Sequence, residues 1–577
     1  MPSYSRLLYL NQNECYRNSY LRVSKDIAAV YKHNKIIAGL PRGVESRYKV
    51  SGLPNSYAVI GMMWGDEGKG RIVDNLLEEM LRDKEIRQAY VIRFQGGSNA
   101  GHTVYKDGRK IALHQLPSGI LYPQAIGVMD SGMVIHLEDL QTEIIDAEKI
   151  VGDLRGKLIL SEDAMLCTDL ERAEEVFLRE KSGGKSKGGT GRGMSQTVAH
   201  YIDRQGAVVA DLLDENWKVR FAKKYDIYER DLRAWDKDLA AIEVPDFRET
   251  RKQKKAMTRK VGSKKEYLKR LQKVRDWFLK RDSSRSKNQR IIQNTFPLHQ
   301  KIESLLISGH AGAIFEGAQA VGLHFRLGRR PDVTATDTSM TGIKDSTAHY
   351  TREMIGDGIG VFKATYDSSV GQVKPLTIIS LPKDDLLSKD KLKVGDEWKS
   401  WTDEDYWRKI QKLKGLSPEQ KYAAWIREVA GEKGTTTGRY REICYLDLAP
   451  LRFNAKMGEV TMLAVTHLDI ARKDHTIKVC THYTDAHGKY RPYQPGQKRQ
   501  QGLKPHYVEL PGFDGQAVRR ARNFIDLPDN AKKFLAFIQR QVGLPIIMVS
   551  TGPNRENALK LPRYKDKKKF FSDLSLI

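Results

Sequence analysis

From Tyr57 onward, short apolar runs rich in β-branched residues alternate with longer amphipathic stretches, and no other feature restricts the fold as much. The runs are Tyr57 to Met62, Tyr90 to Phe94, Ile314 to Phe315, Val460 to Val465 and Ile546 to Val549. Strands separated by helices in this way pair in parallel, because each crossover helix returns the chain to the same edge of the sheet. The expected fold class is α/β: a large, mostly parallel central sheet with flanking helices and helical insertions. Several runs end in loops rich in Gly, Thr or Asp, and open α/β sheets bind ligands at those carboxyl ends.

Three segments depart from the alternation. Residues 1–52 are polar, mixed in charge and broken by Leu40-Pro41-Arg42-Gly43 and Gly52-Leu53-Pro54, which predicts an extension on the outside of a main domain covering 53–577. A basic helical insertion is expected at about 215–300. Between Arg251 and Arg290 it holds 17 basic and 3 acidic residues, with Tyr267, Leu268, Leu271, Val274, Trp277 and Phe278 at helical spacing. That stripe faces either the body of the protein or a partner. With a net charge of +26, contact with nucleic acid or another polyanion stays open. A second helical insertion, rich in Lys, Glu and Trp, is expected at about 383–432. The chain has no apolar run of membrane-spanning length and no apolar signal core. Its four scattered cysteines, Cys15, Cys167, Cys444 and Cys480, fit a reducing compartment, so a cytoplasmic protein without a membrane partner is expected.

The chemistry concentrates first in Met63-Trp64-Gly65-Asp66-Glu67-Gly68-Lys69-Gly70. Gly61, Gly65, Gly68 and Gly70 let the backbone turn tightly and aim amides at an anion, and the helical pattern of Ile72 to Met80 adds a helix N-terminus. Lys69 supplies a point charge for phosphate, so the expected sheet is P-loop-NTPase-like. The Gly61 to Gly68-Lys69 spacing is two residues longer than that of an ordinary phosphate loop, and Gly70 stands where Ser or Thr would hold magnesium. Asp66 is the available carboxylate for a metal or a substrate proton. A second loop, Gln95-Gly96-Gly97-Ser98-Asn99-Ala100-Gly101-His102-Thr103, follows the run ending at Phe94. His102 there is placed to stabilise a transferring phosphoryl group.

With Leu116-Pro117-Ser118-Gly119-Ile120-Leu121, these two loops resemble adenylosuccinate synthetase, which joins IMP to L-aspartate using GTP. The resemblance implies Asp66, Lys69, His102 and Gln319 as catalytic residues, and Asp66 with Gly101 as magnesium ligands. It places Asp66, Glu67, Gly68, Lys69, Asn99, Ala100, Gly101 and His102 against the purine nucleotide. Gly65, Gly68, Lys69, Gly70, Gly101, His102 and Thr103 would meet GTP. Gly188-Gly189-Thr190-Gly191-Arg192-Gly193 resembles the family's "GTTGRG", which puts Thr190 at the nucleotide; Arg204 beyond it would reach the partner subunit's IMP phosphate in a homodimer. Phe315-Glu316-Gly317-Ala318-Gln319 resembles "FEGAQ", which puts Gln319 also at the purine nucleotide, and Thr334 matches a later threonine there. Gly434 to Arg441 resembles the aspartate loop, with Thr435, Thr436, Thr437, Arg439 and Arg441 as its ligands and Arg439 also at the purine nucleotide; guanidinium forks suit a dicarboxylic amino acid. Thr466-His467-Leu468-Asp469 resembles "TKLD" and Ser550-Thr551-Gly552-Pro553 resembles "STGP", so His467, Asp469, Ser550, Gly552 and Pro553 would hold the guanine of GTP.

In the implied reaction Asp66 removes the N1 proton of hypoxanthine, O6 takes the γ-phosphoryl group of GTP, and the aspartate amine displaces phosphate. An acid planted in a phosphate loop then has a purpose. Glu67 is expected to shape the site rather than to react. Some family positions have changed: His467 replaces a lysine, Tyr440, Glu442, Ile443 and Cys444 interrupt an arginine run, and Leu323 to Arg330 stands where the family has "LLDIDHGT". Gly189 replaces a threonine, Ala320 a glycine, and the chain exceeds the usual family length. These mark a divergent branch. Other readings are a related ligase acting on dGMP to make 2-aminoadenine nucleotides, one acting on a purine in nucleic acid, and a non-catalytic nucleotide- and polyanion-binding protein. The joint presence of Asp66, Lys69, His102, Arg204, Arg439 and Arg441 weighs against the last.

Overall fold

The apolar runs form the middle of a ten-stranded sheet. The computed structural model describes residues 55–106, 109–181, 189–253, 256–282, 290–347, 350, 352–369, 374–381, 402–432 and 440–561, all within one unit, Ser51–Leu561. The expected extension at 1–52 lies outside them. The strands are β1 (Ser56–Gly61), β2 (Gln88–Arg93), β3 (Ala125–Met129), β4 (Leu158–Ser161), β5 (Ile292–Gln293), β6 (Ala311–Glu316), β7 (Asp357–Lys363), β8 (Met462–Thr466), β9 (Ile546–Ser550) and β10 (Ala558–Lys560). Their order is β5-β4-β3-β2-β6-β1-β7-β8-β9-β10. Every neighbouring pair is parallel except β9 with β10, which turns back as an antiparallel edge.

Side-chain alternation sends each central strand into two cores. Ala58, Ile60, Tyr90, Ile92, Phe315, Phe362 and Val465 pack on one face, with Phe534, Leu535 and Ile538 of the helix Asp529–Val542. Val59, Val91, Ile314, Ile359 and Val361 pack on the other, against Ile72, Val73, Leu76 and Leu77 of helix α1 (Lys69–Arg82). α1 starts directly after the phosphate loop, so its burial fixes that loop's position.

The basic segment divides into a short helix, Phe247–Gln253, a hairpin of Glu243–Pro245 with Thr258–Lys260, and a long helix, α3 (Lys264–Asp282). α3 lies near α2 (Trp217–Arg233), and Tyr267, Leu271, Val274 and Phe278 join Phe221 and Tyr225 in a separate core. The apolar stripe therefore faces the protein. Arg270, Arg275 and Arg281 also turn inward, to Asp169 (3.1 Å), the Leu212 carbonyl (2.9 Å) and Glu148 (3.2 Å). Lys265, Lys269, Lys273 and Lys280 remain exposed.

Of the second insertion, residues 402–432 are described and 382–401 are not. Two helices, α4 (Asp403–Gln411) and α5 (Pro418–Val429), start at capping boxes, Thr402 with Asp405 and Ser417 with Gln420. They bury Ile410, Tyr422 and Trp425 against Ile443 and Ile470. Among the described residues, no helix is long and apolar enough to cross a membrane, and Cys167, Cys444 and Cys480 are buried free thiols.

Candidate active site

Several of the expected site residues follow the carboxyl ends of sheet strands: the Asp66 loop after β1, Gln319 after β6, His467 and Asp469 after β8, and Gly552 and Pro553 after β9. After β1 the chain passes through positive φ at Gly65 (90°), Asp66 (54°) and Gly68 (82°), the last capping α1. Glu67 organises the turn: its carboxylate accepts from the amides of Met63 (3.1 Å) and Gly65 (2.8 Å) and from Lys69 Nζ (2.9 Å). The neighbouring loop closes in tightly. A Cβ at Gly61 would lie 2.4 Å from the Gln319 carbonyl, 2.6 Å from Glu67 Oε2 and 2.9 Å from Lys69 Nζ, so only glycine fits. Gln319 itself sits at φ 53°, and its Oε1 is buried without a hydrogen bond, as are Asn99 Oδ1 and Thr334 Oγ1.

His102 begins the strand His102–Lys106, the side chain of Thr103 lying outside the described atoms. The buried His102 Nδ1 meets Glu316 Oε1 at the end of β6, and Glu316 also accepts from the Ser118 amide (2.8 Å) and hydroxyl (2.5 Å). Burial lowers the imidazole pKa, Glu316 opposes that, and Arg93 and Lys69 lower it further. Glu316 stays ionised despite burial because His102, Arg93 and Ser118 stabilise its charge.

On the other side, Thr466 Oγ1 donates to the Glu67 carbonyl (2.7 Å), tying the end of β8 to the phosphate loop. His467, at φ 58°, turns edge-on to Tyr366. Burial first, then Lys363, Arg71 and Arg441, push its imidazole down to about 3, against an opposing pull from Glu432. An unfolded histidine protonates near pH 6.5, so the stability this neutral ring contributes is complete above 6.5 and is lost as pH falls toward 3. The thermal midpoint of His467→Asn, where asparagine tolerates the same φ, is accordingly expected to approach that of the unaltered protein as pH is lowered from 7.5 to 4.5.

Asp469 Oδ2 accepts from Arg519 Nε (2.8 Å), and Arg519 also reaches Asp403 of α4 (2.6 Å). Ser550 Oγ donates to the Gly552 carbonyl (3.2 Å), and Arg71 of α1 donates to the carbonyls of Pro553 and Asn554, so the two ends of the site are clasped together.

Thr435, Thr436, Thr437 and Arg439 fall outside the described residues; Arg441 does not. Its Nη2 pairs with Asp66, its Nη1 lies 3.5 Å from Glu432, and its buried Nε has no hydrogen bond. Thr190 is half-buried, and Arg204, at φ 64°, is exposed. The sequence reading did not single out Glu316, Lys363, Glu432 or Arg71. Glu316, Lys363 and Glu432 are buried ionisable groups, which the cost of burial makes a signal in itself, and Arg71 is a half-buried cation in the first turn of α1.

Hard oxygen donors suit magnesium, and Asp66 of the phosphate loop offers them once its carboxylate exchanges Arg441 for the ion. A second cluster, His136, Glu138 and Asp169, has suitable spacing, but Arg259 already pairs with both of its carboxylates and Arg270 with Asp169. Two arginines on three ligand groups neutralise that cluster, whereas Asp66 faces one.

The family model described as adenylosuccinate synthetase matches residues 58–559. The adenylosuccinate synthetase of Clostridium botulinum (strain Eklund 17B) is 30% identical over 511 residues, covering 88% of this chain and 99% of that one. That of Halothermothrix orenii is 29% identical over 508 residues, covering 87% and 97%. The solved structure of fully ligated adenylosuccinate synthetase from Plasmodium falciparum is similar with a TM-score of 0.67 at 25% identity, covering 88% of this chain and 100% of that chain. The chain belongs to the adenylosuccinate synthetase family, ligases that form carbon–nitrogen bonds.

Proposed function

We propose that the protein ligates L-aspartate to IMP using GTP, through a 6-phosphoryl purine, to give adenylosuccinate, GDP and phosphate. One observation carries the reading: a carboxylate held at a left-handed turn of a phosphate loop whose Lys69 acts electrostatically on a buried histidine paired with a glutamate, with the buried Asn99, Gln319 and Thr334 side chains each carrying an unsatisfied polar atom. Asn99 Oδ1, Gln319 Oε1 and Thr334 Oγ1 are desolvated without partners, a costly state that a polar ligand such as a purine nucleotide relieves.

Asp66 takes the N1 proton, which places charge on O6. His102 is neutral in the free protein, but triphosphate charge beside it favours the imidazolium, which donates through Nδ1 to Glu316 and through Nε2 to the phosphoryl oxygen in transit. Magnesium, when bound by Asp66 and Gly101, neutralises phosphate charge. Lys69 exchanges Glu67 for phosphate. Arg441, with Arg439 and the Thr435 to Thr437 hydroxyls, receives the carboxylates of aspartate. Asp469, Ser550, Gly552 and Pro553 bind the guanine with His467 against it, and Arg204 serves the neighbouring site in a homodimer.

Purified protein offered IMP, dIMP, GMP and dGMP, each with GTP or ATP and with or without aspartate, tests this by product mass. Adenylosuccinate from IMP, GTP and aspartate is expected. Turnover of dGMP with IMP untouched would establish the 2-aminoadenine reading instead, and salt-sensitive retention on nucleic acid with no nucleotide turnover would establish polyanion binding.

A further inference from the structure

Glu432 is the most heavily engaged side chain near the site, and neither the implied reaction nor its ligand set uses it. It is 3% exposed, in the turn after α5. Its Oε1 accepts from Tyr366 OH (2.6 Å) and from Lys363 Nζ at the end of β7; its Oε2 accepts from Ser368 Oγ (2.8 Å). Lys363 Nζ also donates to Ser368 Oγ (2.6 Å). Burial alone would raise the carboxyl pKa, but Lys363 and these hydrogen bonds outweigh it and hold the group ionised.

The glutamate reaches the site through Arg441. The Arg441 amide donates to the Glu432 carbonyl (3.0 Å), and Nη1 lies 3.5 Å from Glu432 Oε2. The two residues are thus joined by one backbone bond and one ion pair. Arg441 is 6% exposed, with Nη2 on Asp66 and Nε buried without a hydrogen bond. A buried guanidinium N–H left in that state is a site for an acceptor, and a carboxylate is the acceptor that fits it best.

Building on the reading of this site as an aspartate ligase, we propose that Glu432 is a positioning residue for the amino-acid substrate: it fixes the Arg441 guanidinium so that Nε stays turned to an entering carboxylate. Glu432 touches no substrate. Its removal frees Arg441 to collapse wholly onto Asp66, and the incoming dicarboxylate must then compete with that carboxylate for the whole fork.

The experiment measures KM for aspartate, IMP and GTP separately in Glu432→Gln, with thermal midpoints alongside. The KM for aspartate is expected to rise about tenfold, with kcat and both nucleotide KM values within about threefold of the unaltered enzyme. Ser368→Ala, which removes one neutral hydrogen bond from Glu432 and leaves its charge in place, should shift the same constant in the same direction by a smaller factor and folds even if Glu432→Gln does not. An unchanged aspartate KM in both variants, or an equal rise in all three constants, overturns the proposal. If the unaltered enzyme makes no adenylosuccinate at all, it is the assigned reaction that has failed, and isothermal titration of aspartate into the two variants still tests the Glu432 role by the same selective loss.

Discussion

Asp66→Asn is expected to lower kcat by about 10³-fold, within the range for loss of a general base. The substitution keeps the shape of the side chain, and asparagine is among the few residues that accept positive φ, so the loop path at φ 54° survives. What disappears is the ability to take a proton and the charge opposite Arg441. IMP binding, measured by isothermal titration, should therefore change far less than turnover, because Asn99, Gln319 and Thr334 retain their unsatisfied atoms for the nucleotide. A variant that ligates at the normal rate would remove this carboxylate from the chemistry.

Glu316→Gln is the second large effect. Glu316 is fully buried, with His102 on one oxygen and Ser118 on both, so the isosteric amide keeps the packing while cancelling the negative charge that favours an imidazolium. Without that charge, Arg93 and Lys69 leave His102 neutral even beside a triphosphate. A loss of about 10²- to 10³-fold in kcat is expected, as for removal of general acid or electrostatic assistance, with a smaller change in GTP affinity. The pH profile gives a second reading: the acid form of His102 becomes accessible only at lower pH, so the optimum of the residual activity should move toward acid. A Glu316→Gln enzyme with unaltered kcat and optimum would show that His102 acts without its partner.

The parallel sheet was legible because strands buried on both faces leave nothing but apolar runs, as in β1, β2 and β9. β7 was harder to read. Gly358 and Gly360 interrupt it, and a Cβ at either position would force the Met340 sulfur (2.3 Å) or the Met62 sulfur (2.8 Å) to shift. The loops of the site announced themselves through glycine spacing and through the resemblance those motifs carry. Their partners did not: the pairs His102 with Glu316, Arg71 with Asn554 and Lys363 with Glu432 join residues far apart in the chain, and no local pattern encodes such a pairing. The basic segment shows the opposite limit. Its periodicity revealed α3 and the apolar stripe, but not that Arg270 and Arg281 fold inward onto Asp169 and Glu148 while Lys265, Lys269, Lys273 and Lys280 stay exposed.

The clasp between Arg71 and the loop after β9 also sets a timetable. Its two halves are 483 residues apart, and β1 cannot be flanked on both sides until β6 and β7 exist. On a ribosome adding about 5 to 20 residues per second, the phosphate loop emerges early yet waits tens of seconds for the strands that hold it. During that interval the nascent chain has no finished nucleotide site to steady it, so its early strands depend on being kept from other chains until the final strand arrives.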